Sequence, residues 1–237
     1  MRSRIRKILM ICSNYDAFAL EEDGRIENQV RSEYRELNLS NPPKFIWANS
    51  SQQAREIVSS ETEVDMIICM FNEQDKGIFP FASELKEEGR GIPFVLLIHY
   101  SKAVRQRVLE SPRPGVDFVF SWHGNADLIL AIVKLLEDAA NADNDVFEVG
   151  VKGILLVEDS IRYYSNYLPE LYKIVLTQSR EFLKESLNED QKKYRKRSRP
   201  KIFLATCLEE ALAYFRKYGR NLLGVISDVG MVVHKGD

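Results

Sequence analysis

Gly153-Ile-Leu-Leu-Val-Glu-Asp-Ser160 is a near copy of Lys7-Ile-Leu-Met-Ile-Cys-Ser-Asn14. Ile8 aligns with Ile154, Leu9 with Leu155 and Ile11 with Val157, at an offset of 146 residues. Two more matches follow in the same order. Pro43-Lys-Phe-Ile-Trp-Ala-Asn-Ser-Ser-Gln-Gln-Ala54 aligns with Pro200-Lys-Ile-Phe-Leu-Ala-Thr-Cys-Leu-Glu-Glu-Ala211 at an offset of 157. Asp65-Met-Ile-Ile-Cys-Met-Phe71 aligns with Leu223-Gly-Val-Ile-Ser-Asp-Val229 at 158. Ordered matches at this distance mean a duplicated unit rather than a solenoid period. The growing offset places an insertion between the first two strands of the second copy.

The matched runs are short, apolar and unalternating, as strands buried on both faces are. In copy one they predict strands near 7–12, 44–48, 65–71, 93–98 and 117–120. Helical stretches separate them, including a counterpart at 18–38 to the long helix of copy two. The clearest is Asp127–Glu137, where Leu128, Ile132, Leu135 and Leu136 recur at helical spacing. Five strands alternating with five helices predict an α/β, doubly wound parallel sheet. The polar Asn141-Ala-Asp-Asn-Asp145 predicts a break. Copy two predicts a strand at 153–158, a helix over 161–192, a strand at 201–205, a helix at 207–218 and a strand at 223–228. Nothing in it matches 79–139 of copy one. The expected organisation is a complete unit over 1–139, a linker over 140–151 and an incomplete α/β unit over 152–237. Ile161, Tyr164, Leu168, Leu171, Val175 and Phe182 give the long helix an apolar face, and Pro169 is expected to kink it or begin a second segment. Its extra length suggests packing against the sister unit or a second chain.

Total length agrees with this division. At ~150 residues per domain, 237 residues make about one and a half domains. The shortfall is expected to reflect a truncated gene. Charge is nearly balanced, 33 Lys+Arg against 35 Asp+Glu, which argues against a general nucleic-acid or membrane coat. Apolar runs such as Ile8–Cys12 and Phe94–Ile98 fall far below the ~20 residues of a membrane helix. The basic start is followed by too short an apolar run for a signal peptide. Cys12, Cys69 and Cys207 are odd in number and widely spaced, so they read as reduced thiols of a cytoplasmic protein. Lys192-Lys-Tyr-Arg-Lys-Arg-Ser-Arg-Pro-Lys201 carries seven cations in ten residues. Phosphate, nucleotide or RNA docking is one reading of it. With only Tyr194 interleaved, a solvated loop that pairs with acids elsewhere in the chain is the preferred one. The nucleotide-binding glycine motifs, the H-E-x-x-H metal spacing and the G-x-S-x-G elbow are all absent.

Functional groups of open α/β sheets collect beyond the carboxyl ends of the strands. Copy two places Glu158 and Asp159 beyond its first strand and Asp228 at the end of its third. Three carboxylates converging there repel unless a divalent cation joins them, and an all-oxygen set favours Mg2+. The plainer reading is that Glu158 and Asp159 cap the following helix.

Ile154-Leu-Leu-Val-Glu-Asp-Ser160 and Val225-Ile-Ser-Asp228 resemble the first and third strands of the response-regulator receiver domain, a five-stranded flavodoxin-like fold. The resemblance spans the chain as one complete and one partial receiver. It implies that Asp228 is the phosphoacceptor, that Glu158 and Asp159 hold magnesium with it, and that the Gly230 carbonyl completes the protein ligands. It further implies a two-component signalling module fed by a histidine kinase or phosphotransfer protein.

Copy one departs from that pattern. Cys12 and Ser13 replace the acidic pair, Met70 replaces the acceptor, Ile98 or His99 falls at the strand-four hydroxyl, and Trp122 at the strand-five lysine, with His123 next. Copy one therefore resembles a pseudo-receiver. Copy two keeps the acids and lacks the segment carrying hydroxyl and lysine, so efficient phosphorylation by this chain alone is not expected. The long first helices, the Gly124–Ala131 helix start and Val157-Glu-Asp-Ser160 also resemble the N-terminal regulatory region of phosphoenolpyruvate synthase or pyruvate phosphate dikinase-like bacterial proteins. No dikinase active-site residue is present, so the chain itself reads as non-enzymatic. A phosphorylation-independent scaffold, with protein–protein contacts and a homodimer among its expected assemblies, is the competing reading. His99 and Ser101 read as ordinary rim residues, Trp122 and His123 as packing or a partner contact, and Cys12 and Cys69 as small buried hydrophobes. The third strand of copy two is expected to be an exposed edge that something covers.

Overall fold

Parallel pairing of short buried strands organises both halves of the chain, as seen in a computed structural model. It describes residues 3–14, 16, 26–36, 39, 41–60, 63–99, 112–184 and 199–230. The chain divides into two compact units, one over 5–126 and one over 127–237 with residues 1–4.

The first unit runs β1 (Lys7–Ile11), α1 (Ile26–Glu36), β2 (Lys44–Ala48), α2 (Ser51–Ser59), β3 (Met66–Met70), α3 (Ile78–Glu87), β4 (Phe94–His99) and β5 (Phe118–Trp122). Its five strands are all parallel, in the order β2-β1-β3-β4-β5. The interior strands β1, β3 and β4 are buried almost throughout, which explains why their sequences do not alternate. Carboxylates tie off the amino end of the sheet. Asp65 accepts from the backbone N–H groups of Arg6 and Lys7 at 2.7 and 2.9 Å. Asp117 accepts from the Phe94 N–H and the Lys86 ammonium, both at 2.7 Å. Gly115 holds φ at +79°, and a Cβ there would fall 2.2 Å from the Ala82 backbone, so only glycine fits this turn. The helix expected between β4 and β5 lies outside the described residues, as do Ser101 and the front of the helix expected over 18–38.

The second unit contains α4 (Ala126–Asp143, whose first residue belongs to the other unit), a π-helical turn over Asn144–Glu148, β6 (Gly153–Val157), α5 (Ile161–Lys184), β7 (Lys201–Ala205), α6 (Leu208–Tyr218), a 3-10 turn over Gly219–Asn221 and β8 (Leu222–Ser227). The sheet is parallel, in the order β7-β6-β8. From Ile154 onward its register repeats the sequence alignment. Ile8 pairs with Phe45 and Met66, and its equivalent Ile154 pairs with their equivalents Ile202 and Gly224.

One face of this sheet carries Leu155, Val157, Phe203 and Ala205 in a core with Ala142, Val146, Ala211 and Tyr218. The Phe203 ring stacks on Tyr218 at 4.9 Å. The α5 helix buries Ile161, Tyr164, Leu168, Tyr172, Val175 and Leu176, so Tyr172 takes the inward position expected of Leu171. It continues unbroken through Pro169, and the expected positions 185–192 lie outside the described residues.

The polar stretch Asn141–Asp145 is not a break. It is helical, because its side chains have internal partners. The Asn141 amide donates to the carbonyls of Glu137 and Ser3, both at 2.7 Å, and its oxygen accepts from the Ser3 N–H at 2.9 Å. Asp143 accepts from Lys217 and from the Tyr218 hydroxyl, and Asp145 pairs with Lys201 at 2.6 Å. The non-helical connection shrinks to Val149–Lys152, where Gly150 takes φ +77°. Among the described residues no helix is long and apolar enough to cross a membrane.

Candidate functional site

At the carboxyl ends of β6 and β8 the chain leaves the sheet with acidic residues. Neighbouring parallel strands end side by side, so side chains far apart in sequence meet there. The Glu158 N–H still donates to the Ala205 carbonyl at 3.0 Å, and the Asp228 N–H to the Val157 carbonyl at 3.1 Å. These two ladder bonds bring the strand ends together. Carboxylate oxygens of Glu158, Asp159 and Asp228 lie within 4.8 Å of one another. Burial falls across the trio: Glu158 is 4% exposed, Asp159 half-buried and Asp228 exposed.

Glu158 accepts from the Ser160 N–H at 3.0 Å. Burial raises its pKa above the ordinary carboxylate value. The Ser160 N–H opposes that shift, and the negative charges of Asp228 and Asp159 add to it. Asp228 accepts from the Val229 N–H at 2.6 Å. Hence the cluster gathers hard oxygen donors of negatively charged groups in one place. Two ligands of one magnesium ion stand at most roughly 4.2 Å apart, twice the ~2.1 Å bond length, and the observed spread is of that order. The donor set fits a hard divalent cation. Gly230 lies exposed two residues past Asp228.

The first unit has the same backbone without the charge. Its Cys12 N–H donates to the Ala48 carbonyl at 3.0 Å, the bond that Glu158 makes to Ala205. Cys12 and Met70 are buried where the second unit has Glu158 and Asp228. Cys69 is also buried, and burial pushes its thiol pKa far up, with the charges of Asp75 and Cys12 adding to the shift, so it is not a ready thiolate. Trp122 is buried and pairs in register with His99, while His123 is exposed. One acid missed in the sequence reading sits on this rim. Asp16 accepts from the Ser13 hydroxyl at 2.6 Å and lies 3.4 Å from His99 Nε2. It stands three residues beyond the matched position, so the alignment passes over it.

A second cluster bears out the pairing of the basic run with acids elsewhere in the chain for Arg199 and Lys201, but buries it where a solvated loop is expected. Asp138 of α4 is fully buried in the second unit. Its carboxylate accepts two bonds from the Arg199 guanidinium, one from the Tyr172 hydroxyl at 3.0 Å and one from the Ile202 N–H at 3.2 Å. Lys201 lies between Asp138, at 3.3 Å, and Asp145, at 2.6 Å. Burial works against the Arg199 charge, but Asp138 outweighs it and the guanidinium pKa is raised. Two cations of the basic run are therefore core residues paired with acids, and residues 192–198 of that run lie outside the described residues. The available signal was the position of Arg199 just before an apolar strand and of Lys201 at its start.

No family model, no curated protein and no solved structure matches this chain.

Proposed function

We propose that the chain is a receiver-type regulatory module of two-component signalling, with its phosphoacceptor site in the second unit. The carrying observation is the convergence of Glu158, Asp159 and Asp228 at the ends of adjacent parallel strands. The strand order β2-β1-β3-β4-β5 supports the reading, since it is the flavodoxin-like order, whose ligands sit at the carboxyl ends beside β1. In this reading Glu158, Asp159 and Asp228 hold Mg2+, with the Gly230 carbonyl as the remaining protein ligand. A divalent cation bound there neutralises charge on the oxygens of an incoming phosphoryl group. Asp228, the most exposed of the three, presents its carboxylate oxygen as the nucleophile. Glu158, the most buried, is held by the Ser160 N–H and anchors the site. The phosphoryl donor is a histidine kinase or phosphotransfer protein. Transfer is slow, because the described second unit offers no hydroxyl or lysine at a fourth and fifth strand.

For the first unit we propose a phosphate-independent binding role, supported by buried Cys12 and Met70 at the acid positions.

Titrating Mg2+ into the full chain by calorimetry tests the main reading. Saturable binding is expected for the wild type and is lost in Asp228→Asn and Glu158→Gln. With acetyl phosphate and Mg2+, mass spectrometry is expected to find a single phosphoryl group, slowly acquired, on Asp228. Wild-type protein that binds no Mg2+, or a label that persists in Asp228→Asn, overturns it.

A further inference from the structure

An asparagine side chain carries the same kinds of donor and acceptor as a peptide group, so it holds a backbone much as a neighbouring strand does. Asn141 does this at Ser3, 138 residues away in the chain. Its Oδ1 accepts from the Ser3 N–H at 2.9 Å, and its Nδ2 donates to the Ser3 carbonyl at 2.7 Å. Nδ2 also donates to the Glu137 carbonyl at 2.7 Å, one turn back along α4. Asn141 is only 2% exposed. Residues 1–4 and 127–237 belong to one compact unit, so both partners of this clasp lie in the second unit. The chain passes from Ser3 into β1 of the first unit at Lys7, and returns after β5 directly into α4.

The stretch that begins at Asn141 is one whose own composition disfavours a helix. Free Asn and Asp side chains compete with the helical backbone for its hydrogen bonds, and Asn141-Ala-Asp-Asn-Asp145 is built almost wholly of them. The stretch passes into a π-helical turn over Asn144–Glu148, a rare geometry that occurs mostly as single turns and often at functional sites. Ala142 and Val146 seat it in the core, and Asp145 reaches Lys201 at 2.6 Å. Removing Ser3 takes two hydrogen bonds from a buried amide. That amide regains them by turning outward to water, which the helix carrying it opposes.

We propose that Ser3 and Asn141 form a conformational strap. Engaged, the strap keeps the tail of α4 helical and Asp145 on Lys201. Released, the tail over 142–151 relaxes to the turn that its sequence favours, while β6 and β7 stay folded. The strap couples the chain that leads into the first unit to the chain that leads out of it. Displacing the segment before β1 unwinds the tail, and by reciprocity unwinding the tail frees that segment.

Native-state hydrogen exchange of the full chain, followed by NMR over a range of urea concentrations below unfolding, tests this. The amides of 142–151 are expected to exchange faster than those of β6 and β7 and with little dependence on urea, as a separate local opening does. Ser3→Pro removes the N–H donor of the strap, and it reaches the tail only through Asn141. It is expected to speed exchange at 142–151 about five- to tenfold, as the loss of one buried hydrogen bond does. In the reverse direction, Asp145→Asn is expected to speed exchange of the Ser3 amide. Tail amides that open only together with β6 and β7 at every urea concentration overturn the proposal, because no released state then exists. So does a Ser3→Pro protein whose tail exchanges as in the wild type, or an Asp145→Asn protein whose Ser3 amide does.

Discussion

Burial raises the pKa of two acids of the second unit, yet their net shifts are opposite, and the difference is their neighbours. Glu158 is buried beside Asp159 and Asp228, and its pKa is raised. Asp145 is also buried, but the Lys201 ammonium at 2.6 Å outweighs that cost and its pKa is lowered. Linkage gives each a sign. The folded state holds the Glu158 proton more tightly than the unfolded chain does, so the ionised group destabilises the metal-free fold at neutral pH. That penalty fades as pH falls through the raised pKa. Asp145 contributes stability that is present above the unfolded carboxylate value and lost as pH falls through its lowered one. In urea denaturation without divalent cations, Glu158→Gln is therefore expected to be more stable than wild type at pH 7, and Asp145→Asn less stable. Both differences shrink on acidification. A Glu158→Gln protein that is less stable at pH 7 would show that the cluster is not electrostatically strained. Cys12 and Glu158 make the point at one backbone position: the same strand-end bond supports a buried thiol in one unit and a charged carboxylate in the other.

Among the elements, α4 separates pattern from context most clearly. Its first part, Asp127–Glu137, is legible as a helix from apolar spacing alone. Its second part reads as a linker, because Asn and Asp favour turns when their side chains are free. Here they are not free. Asn141, Asp143 and Asp145 are bonded to Ser3, Lys217, Tyr218 and Lys201, all within one unit. Those partners come from distant parts of the chain and remove the competition with the backbone. Ala142→Pro tests this. A linker would tolerate it, whereas a helix interior loses about 3 kcal/mol or more. The expected outcome is a matching drop in unfolding free energy by urea denaturation. Strand β8 is the complementary case: its apolar, uncharged sequence suits an interior strand, yet among the described residues it has one strand neighbour. α5 likewise passes through Pro169 without a break, its inward face being set by burial of Leu168, Tyr172 and Val175.

At the scale of the molecule, two units of one design carry different chemistry, and the difference is separable by measurement. Both tryptophans, Trp47 and Trp122, lie in the first unit, while the acidic trio lies in the second. A ligand of the folded state stabilises the unit that binds it, by an amount set by its concentration relative to Kd. Mg2+ is expected to raise the unfolding temperature of the second unit, seen by circular dichroism or calorimetry. The tryptophan-fluorescence transition of the first unit stays in place. A tryptophan transition that shifts with Mg2+ while the remaining signal does not would move the metal site to the first unit.

The duplicated strands, the α/β class and the acids at the ends of β6 and β8 were determined by the sequence itself. Local apolar pattern and internal repetition carry that information, and strand ends follow from strand assignment. Tertiary structure decided what depends on distant partners. It turned the polar tail of α4 into helix, placed Arg199 and Lys201 in the core against Asp138 and Asp145, and gave β8 a single strand neighbour among the described residues. The physical reason is the same in each case. Burying a charge or exposing an apolar strand is governed by what lies across the fold, and no local window of residues contains it.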